Sequence, residues 1–244
     1  RKHYAEWNET VDQHSGPTNE IPPSYAQVVG AINRICDSTD LALTAAGGLP
    51  GELCKNWKTR SIGTFDCEFG FSCMGYEIAG GWGAKMANPS RDVIVFVGDG
   101  SYLMLNSDIY STVLTGHKMI VIVCDNGGFS VINRLQNFKG SASFNNLLQD
   151  CKVENLQGVD FVQHATSMGA LGEHVESTTE LEAAFKRAKA ADRTYVICIK
   201  TKPSQWTPGD AWWDVGVPEV SDREEVRQAR ADHTEGQKRQ RLGV

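Results

Sequence analysis

The sequence has no long apolar run. Of its 244 residues 41% are hydrophobic, yet no stretch approaches the ~20 residues a membrane-spanning helix needs, and no signal-peptide pattern is visible. Basic charge is also in short supply: 24 Lys and Arg face 30 Asp and Glu, a net −6. With no basic face beside an aromatic platform, a nucleic-acid partner is not expected. Paired CxxC spacing is missing, and seven cysteines is an odd number. Cys36, Cys124 and Cys198 sit in apolar runs, so the pattern reads as buried thiols in a reduced, cytoplasmic protein, not as a disulfide framework or zinc site. GxGxxG, GxxxxGK[ST] and GxSxG do not occur, which removes the fingerprints of nicotinamide, P-loop and nucleophile-elbow sites.

What is present centres on two short runs. Residues 93–101 read VIVFVGDGS and residues 119–128 read MIVIVCDNGG. Each is a β-branched apolar strand ending in a sharp turn with an oxygen-bearing side chain. Twenty-four residues lie between Gly100 and Asp125, enough for one βαβ crossover to a neighbouring parallel strand. Asp99 and Asn126 are then expected side by side at the carboxyl ends of adjacent strands, where open α/β sheets bind ligands. A carboxylate, an amide oxygen and exposed glycine carbonyls are hard donors suited to Mg²⁺, which usually takes phosphate oxygens as further ligands. Gly98 closes the first strand, and Gly100 and Ser101 open a helix whose free N–H groups favour anions.

The rest of the chain alternates helical and strand patterns. Residues 25–36 read as a helix behind Pro22–Pro23 with Ser24 as N-cap, 41–46 as a strand running into turns at Gly47–Gly48 and Pro50–Gly51, and 64–75 as a loop. Residues 76–87, 105–115, 159–169 and 178–191 read as helices, the last capped by Thr178 or Thr179, and 194–199 as a strand. Residues 127–150 read as irregular. Unbroken apolar strands alternating with helices imply an α/β fold, a doubly wound parallel sheet flanked by helices. The expected organisation is an interdomain arm over 1–24, the main domain over 25–202, and a segment over 203–244. In that last segment Trp206, Trp212 and Trp213 form either a lid or a subunit contact, and 221–241 is a charged helix.

The GDG…DN pair resembles the signature of thiamine diphosphate enzymes, and the resemblance runs through residues 41–202. It implies thiamine diphosphate and Mg²⁺ as cofactors, with Asp99, Asn126 and the carbonyl of Gly128 on the metal. The run GFSCMG (Gly70–Gly75) followed by AGGWGAK resembles the family's aminopyrimidine cradle. There Met74 would prop the cofactor's rings into a bend and the Ser72 carbonyl would accept from the exocyclic amine. Gly48 and Leu49 fall where members contact the diphosphate. The family's ring-protonating Glu belongs to a pyrimidine-binding domain, and no segment here has that character. That Glu is therefore expected outside this chain, on a domain supplied in relatives by a partner subunit, in a homo-oligomer of two or four. The chain starts at Arg1 and is expected to be a C-terminal part of something longer. Were the chain active alone, Glu52, Glu68 and Glu77 would be the acids to consider.

Within the family, the runs Gly98–Ser111, Cys124–Gln136 and Trp212–Ser221 resemble the branch that hydrolyses a C–C bond of a polyhydroxylated cyclic 1,2-diketone. Two alternatives remain open at this point. One is a carboligase or 2-oxo acid decarboxylase, although decarboxylases of the pyruvate type carry a Glu six positions after the metal-binding Asn, where this chain has Ile132. The other is a non-catalytic cofactor-binding subunit.

Overall fold

The computed structural model describes residues 1–152 and 158–240; the last four residues of the 203–244 segment, Arg241 of the expected charged helix among them, lie outside the described residues. In chain order the elements are α1 (Lys2–Ser15), α2 (Tyr25–Ile35), β1 (Leu41–Thr44), α3 (Gly48–Asn56), β2 (Phe65–Cys67), α4 (Tyr76–Ala87), β3 (Val93–Gly98) and α5 (Asp99–Met104). They continue with α6 (Asp108–Thr115), β4 (Ile120–Asp125), α7 (Ser130–Phe138), α8 (Phe161–Ser167), β5 (Leu171–Val175), α9 (Thr178–Ala190), β6 (Tyr195–Lys200) and α10 (Glu224–Arg239).

The described strands form one six-stranded sheet in the order β2-β1-β3-β4-β6-β5, and every pairing is parallel. β3 and β4 lie at its centre, buried along their length because both faces are covered. Alternate side chains serve two cores. Ile94, Phe96, Ile120, Ile122 and Ile197 pack with Val28, Ile32, Leu53 and Phe185 from α2, α3 and α9. Val93, Val95, Val121, Val123 and Val196 point the other way, toward Ile78, Ile109 and Phe161 from α4, α6 and α8. The expected doubly wound parallel sheet is thus the fold observed.

Local signals explain several boundaries. Ser24 caps α2 in a full capping box with Gln27, as the sequence suggests. α4 occupies the span read for it, 76–87. Other segments differ. α3 replaces the turns read at 47–51; its Pro50 falls in the first helical turn, where a missing N–H costs nothing. β2 lies inside the loop read over 64–75, and α7 inside the irregular stretch over 127–150. Of the helix read over 105–115 only Asp108–Thr115 is helical, as α6, and Leu105–Ser107 separate it from α5, the helix that Gly100 and Ser101 were expected to open. β5 was not read at all, since its edge position leaves it half exposed. Ser177, not Thr178 or Thr179, caps α9 through the Glu180 N–H at 3.2 Å. Within the 1–24 arm, α1 forms against α2 with Val11 and Ser15 buried.

Candidate cofactor site

The pairing of β3 with β4 sets Gly98 opposite Cys124, so Asp99 and Asn126 leave the sheet as neighbours. Asp99 is only 6% exposed and its Oδ2 accepts the Gly128 N–H at 2.7 Å. Burial, and then the charge of nearby Asp125, push its carboxyl up to about 6, against the pull of the Gly128 and Gly100 N–H groups. Asp125 is engaged elsewhere: one oxygen accepts the Gly127 N–H at 3.0 Å and the other pairs with Lys200 from the end of β6.

Asn126 is held by its amide nitrogen. Nδ2 donates to the Tyr25 hydroxyl at the start of α2 and to Ser130 Oγ at 2.7 Å. Burial raises the Tyr25 pKa, so that partner stays neutral. The carboxamide oxygen, fixed on the opposite side, is buried and has no hydrogen-bond partner among the described residues. A buried polar oxygen without a partner is costly. Gly128 adopts φ 140°, and a Cβ there would lie 2.4 Å from the Asn146 carbonyl, so only glycine fits. The bridge between Gly128 and Leu147 uses flanking groups, Phe129 N–H to Asn146 O and Leu148 N–H to Gly127 O, which leaves the Gly128 carbonyl outside it. A carboxylate, an orphaned amide oxygen and a glycine carbonyl in one turn pair fit a hard divalent cation.

Of the other expected residues, Gly98, Gly100, Ser101 and Met74 lie beside this centre. Gly98 is the N-cap of α5, whose first turn holds Asp99, Gly100 and Ser101. Above Gly100 lie the Phe129 ring and the Met74 methyl, the latter 3.5 Å from where a Gly100 Cβ would be. Met74 is 36% exposed, so it is not a core filler. Ser72 takes a left-handed φ of 52°, in a loop organised by Glu68, which accepts the Phe71 and Cys73 N–H groups at 3.1 and 2.7 Å. Gly48 begins α3, but Leu49 buries its side chain in the core, so only its backbone can face a ligand.

Three contributors, Tyr25, Ser130 and Lys200, were not read from the sequence, and Trp206 was read only as part of a lid or a subunit contact. Trp206 lies against Gly48, edge-on to Tyr25, with Arg134 stacked on its face. Tyr25 and Ser130 orient Asn126, and Lys200 balances Asp125. A serine four residues after Asn126, at helical spacing, was the one local signal for any of these. The three candidate acids are all engaged within the chain: Glu52 by the Thr207 N–H and hydroxyl, Glu68 by its loop, and Glu77 by the Ala46 and Gly75 N–H groups.

The fold is thus a six-stranded parallel sheet bearing an acidic turn and an amide-bearing turn at the ends of its two central strands, the class of a doubly wound α/β binding domain. The family model described as "Thiamine pyrophosphate enzyme, C-terminal TPP binding domain" matches residues 45–199, and the chain belongs to that family. It is 40% identical over 209 residues to the 3D-(3,5/4)-trihydroxycyclohexane-1,2-dione hydrolase of Bacillus cereus (strain AH820), covering 83% of this chain and 32% of that protein. The protein of the same name from Bacillus thuringiensis (strain Al Hakam) is 39% identical over the same length. The chain thus spans about a third of the length of the curated relatives it matches. In fold it is similar to a thiamine diphosphate-dependent 4-hydroxybenzoylformate decarboxylase of Rhodococcus jostii RHA1, with TM-score 0.68 and 20% identity over 76% of this chain and 34% of that one.

Proposed function

We propose that this chain is the diphosphate- and Mg²⁺-binding part of an enzyme that cleaves a C–C bond of trihydroxycyclohexane-1,2-dione by hydrolysis, giving 5-deoxy-glucuronate in inositol breakdown. The observation that carries the cofactor reading is the buried, unpartnered Asn126 Oδ1 beside the Asp99 carboxylate. The substrate reading is supported by the names of the 40%-identical relatives.

Asp99, Asn126 and the Gly128 carbonyl would hold the metal. Gly98, Gly100 and Ser101, with the backbone of Gly48 and Leu49, would face the diphosphate. Met74 would fill the space beneath the rings, and Ser72 would offer its carbonyl to the amine. When bound, thiamine diphosphate supplies a nucleophilic carbon and an electron sink for the breaking bond. This chain's residues bind, orient and keep water from the cofactor's rings. Asp99 must be a carboxylate to do so, and the Gly128 and Gly100 N–H groups favour that form. Ile132, 49% exposed on α7, puts an alkyl group where decarboxylases of the pyruvate type carry an acid, which favours hydrolysis over decarboxylation.

Glu52, Glu68 and Glu77 are already engaged, so the ring-protonating acid is assigned to a pyrimidine-binding domain outside residues 1–244, contributed by a partner subunit in a dimer or tetramer. Phe71, 91% exposed, with Leu103, Met104 and Leu114, offers apolar surface for such an assembly. No described helix is long and apolar enough to cross a membrane, and buried Cys36, Cys124 and Cys198 suit a reducing cytoplasm. The test is turnover of the diketone by the full-length protein with thiamine diphosphate and Mg²⁺. Carboligation or decarboxylation of a 2-oxo acid in place of ring opening would replace this substrate assignment.

A further inference from the structure

Glu77, in the first turn of α4, is fully buried. Its Oε1 accepts the Ala46 N–H at 3.1 Å and its Oε2 the Gly75 N–H at 2.9 Å. The Ser101 hydroxyl also favours its charged form, while burial pushes its pKa up. Among the described residues no Lys, Arg or His forms an ion pair with it. Backbone and hydroxyl dipoles therefore carry the whole task of holding a buried carboxylate.

The two donors come from separate stretches, and the nearby Ser101 from a third. Ala46 follows β1 and leads into Gly48 and Leu49. Gly75 closes the loop of Ser72 and Met74. Ser101 is in the first turn of α5 with Asp99 and Gly100. Gly75 is fixed from its other side too: at φ 95° a Cβ would lie 2.6 Å from Leu105 Cβ. A helix cap alone would account for the Gly75 bond at the end of α4. It does not account for the Ala46 bond, made to a strand exit 31 residues away.

We propose that Glu77 is a positioning residue, a single carboxylate that fixes the exit of β1 at Ala46 against the Met74 loop at Gly75, two of the stretches assigned to the cofactor, so that occupation of the diphosphate site is transmitted to the Met74 loop. This rests on the cofactor reading above. Gln in place of Glu keeps the shape but supplies one acceptor and one donor. Its NH₂ must then face a backbone N–H, and one loop is released.

The test is hydrogen exchange on the full-length protein. Without cofactor, Glu77→Gln should speed exchange at least tenfold in peptides covering 45–50 and 70–76, with α9 unchanged. Inorganic pyrophosphate with Mg²⁺, which lacks the rings the Met74 loop would hold, should slow exchange at both 98–103 and 70–76 in the wild type, and only at 98–103 in Glu77→Gln. KM for thiamine diphosphate should rise at least tenfold, with kcat largely restored at saturation. Faster exchange confined to 70–76 with unchanged KM would reduce Glu77 to a helix cap and overturn the proposal; so would a uniform loss of protection that includes α9. If the variant does not fold, the wild type still decides: pyrophosphate protection limited to 98–103 overturns the coupling. Failure of the wild type to bind pyrophosphate or thiamine diphosphate at all would instead remove the cofactor reading, while exchange in the cofactor-free variant would still report on the hold of Glu77 on Ala46 and Gly75.

Discussion

Asn126 donates its amide to the hydroxyl of Tyr25, 101 residues earlier in the chain, and its carboxamide oxygen is left without a hydrogen-bond partner among the described residues. The start of α2 thereby sets the direction of a proposed ligand atom at the end of β4.

Tyr25→Phe and Ser130→Ala should each weaken Mg²⁺-dependent binding of thiamine diphosphate by several-fold. A lost hydrogen bond is worth about 0.5–1.5 kcal/mol, and about 1.4 kcal/mol is a factor of ten. The double variant should lose more than either single one. Calorimetry at fixed cofactor with varied Mg²⁺ measures this, and an unchanged Mg²⁺ affinity in the double variant would show that Asn126 needs no such clamp.

Asp99→Ala should abolish tight cofactor binding, because it removes the charged member of the proposed ligand set. Retained affinity would remove the metal assignment.

The Asp99 carboxyl also makes the site sensitive to pH. Its pKa is raised from an ordinary 3.8 to about 6. A raised folded-state value means that this group's contribution to stability is fully present below about 3.8 and is lost as pH rises through about 6. Metal binding runs the other way, since it needs the carboxylate. The rise in melting temperature produced by Mg²⁺ and thiamine diphosphate should therefore shrink as pH falls from 7 to 5. Asp99→Asn should flatten the cofactor-free profile over that range. A Mg²⁺ effect constant from pH 5 to 7 would contradict the assignment.

Met74→Ala should hardly change stability, because the side chain is more than a third exposed and leaves no closed cavity. Turnover should fall at least tenfold in protein that still binds the cofactor. Met74→Leu, close in volume, should keep most activity. Loss of melting temperature without loss of turnover would make Met74 a packing residue.

Trp206→Ala removes contacts to Gly48, Tyr25 and Arg134 together. We expect a loss of about 3 kcal/mol in urea unfolding, at the low end for a truncated aromatic. A value within about 0.5 kcal/mol of zero, usual for a surface change, would mean that the tail rests on the domain without stabilising it.

The central strands and the residues at their ends could be read directly, because parallel strands buried on both faces are written as continuous β-branched runs, and Asp99 and Asn126 end two of them. Ser24 and the α4 boundaries were legible for a similar reason: caps and small residues act locally. α3 was hidden because Gly47, Gly48, Pro50 and Gly51 read as turns, whereas the fold admits a proline in the first helical turn. α7 and β5 draw their stability from neighbours: α7 keeps only Ser130 buried, and β5 lies at a sheet edge. Glu77 was considered only as an acid; its role as an acceptor for Ala46 and Gly75 depends on two backbone segments meeting, which no spacing displays. Tyr25 was missed likewise, since its partner lies far along the chain, and for the same reason the sequence offered Trp206 as a lid or subunit contact without naming Gly48, Tyr25 or Arg134 as its partners.

The bond between Glu52 and Thr207 joins residues 155 positions apart. During synthesis on the ribosome, Glu52 on α3 therefore waits, buried-to-be and without its two Thr207 donors, until β6 and the segment beyond it have emerged. The rim around Gly48 is accordingly among the last features of the domain to be completed. A nascent chain stalled before Thr207 could assemble its central strands and still present an unfinished floor to the cofactor.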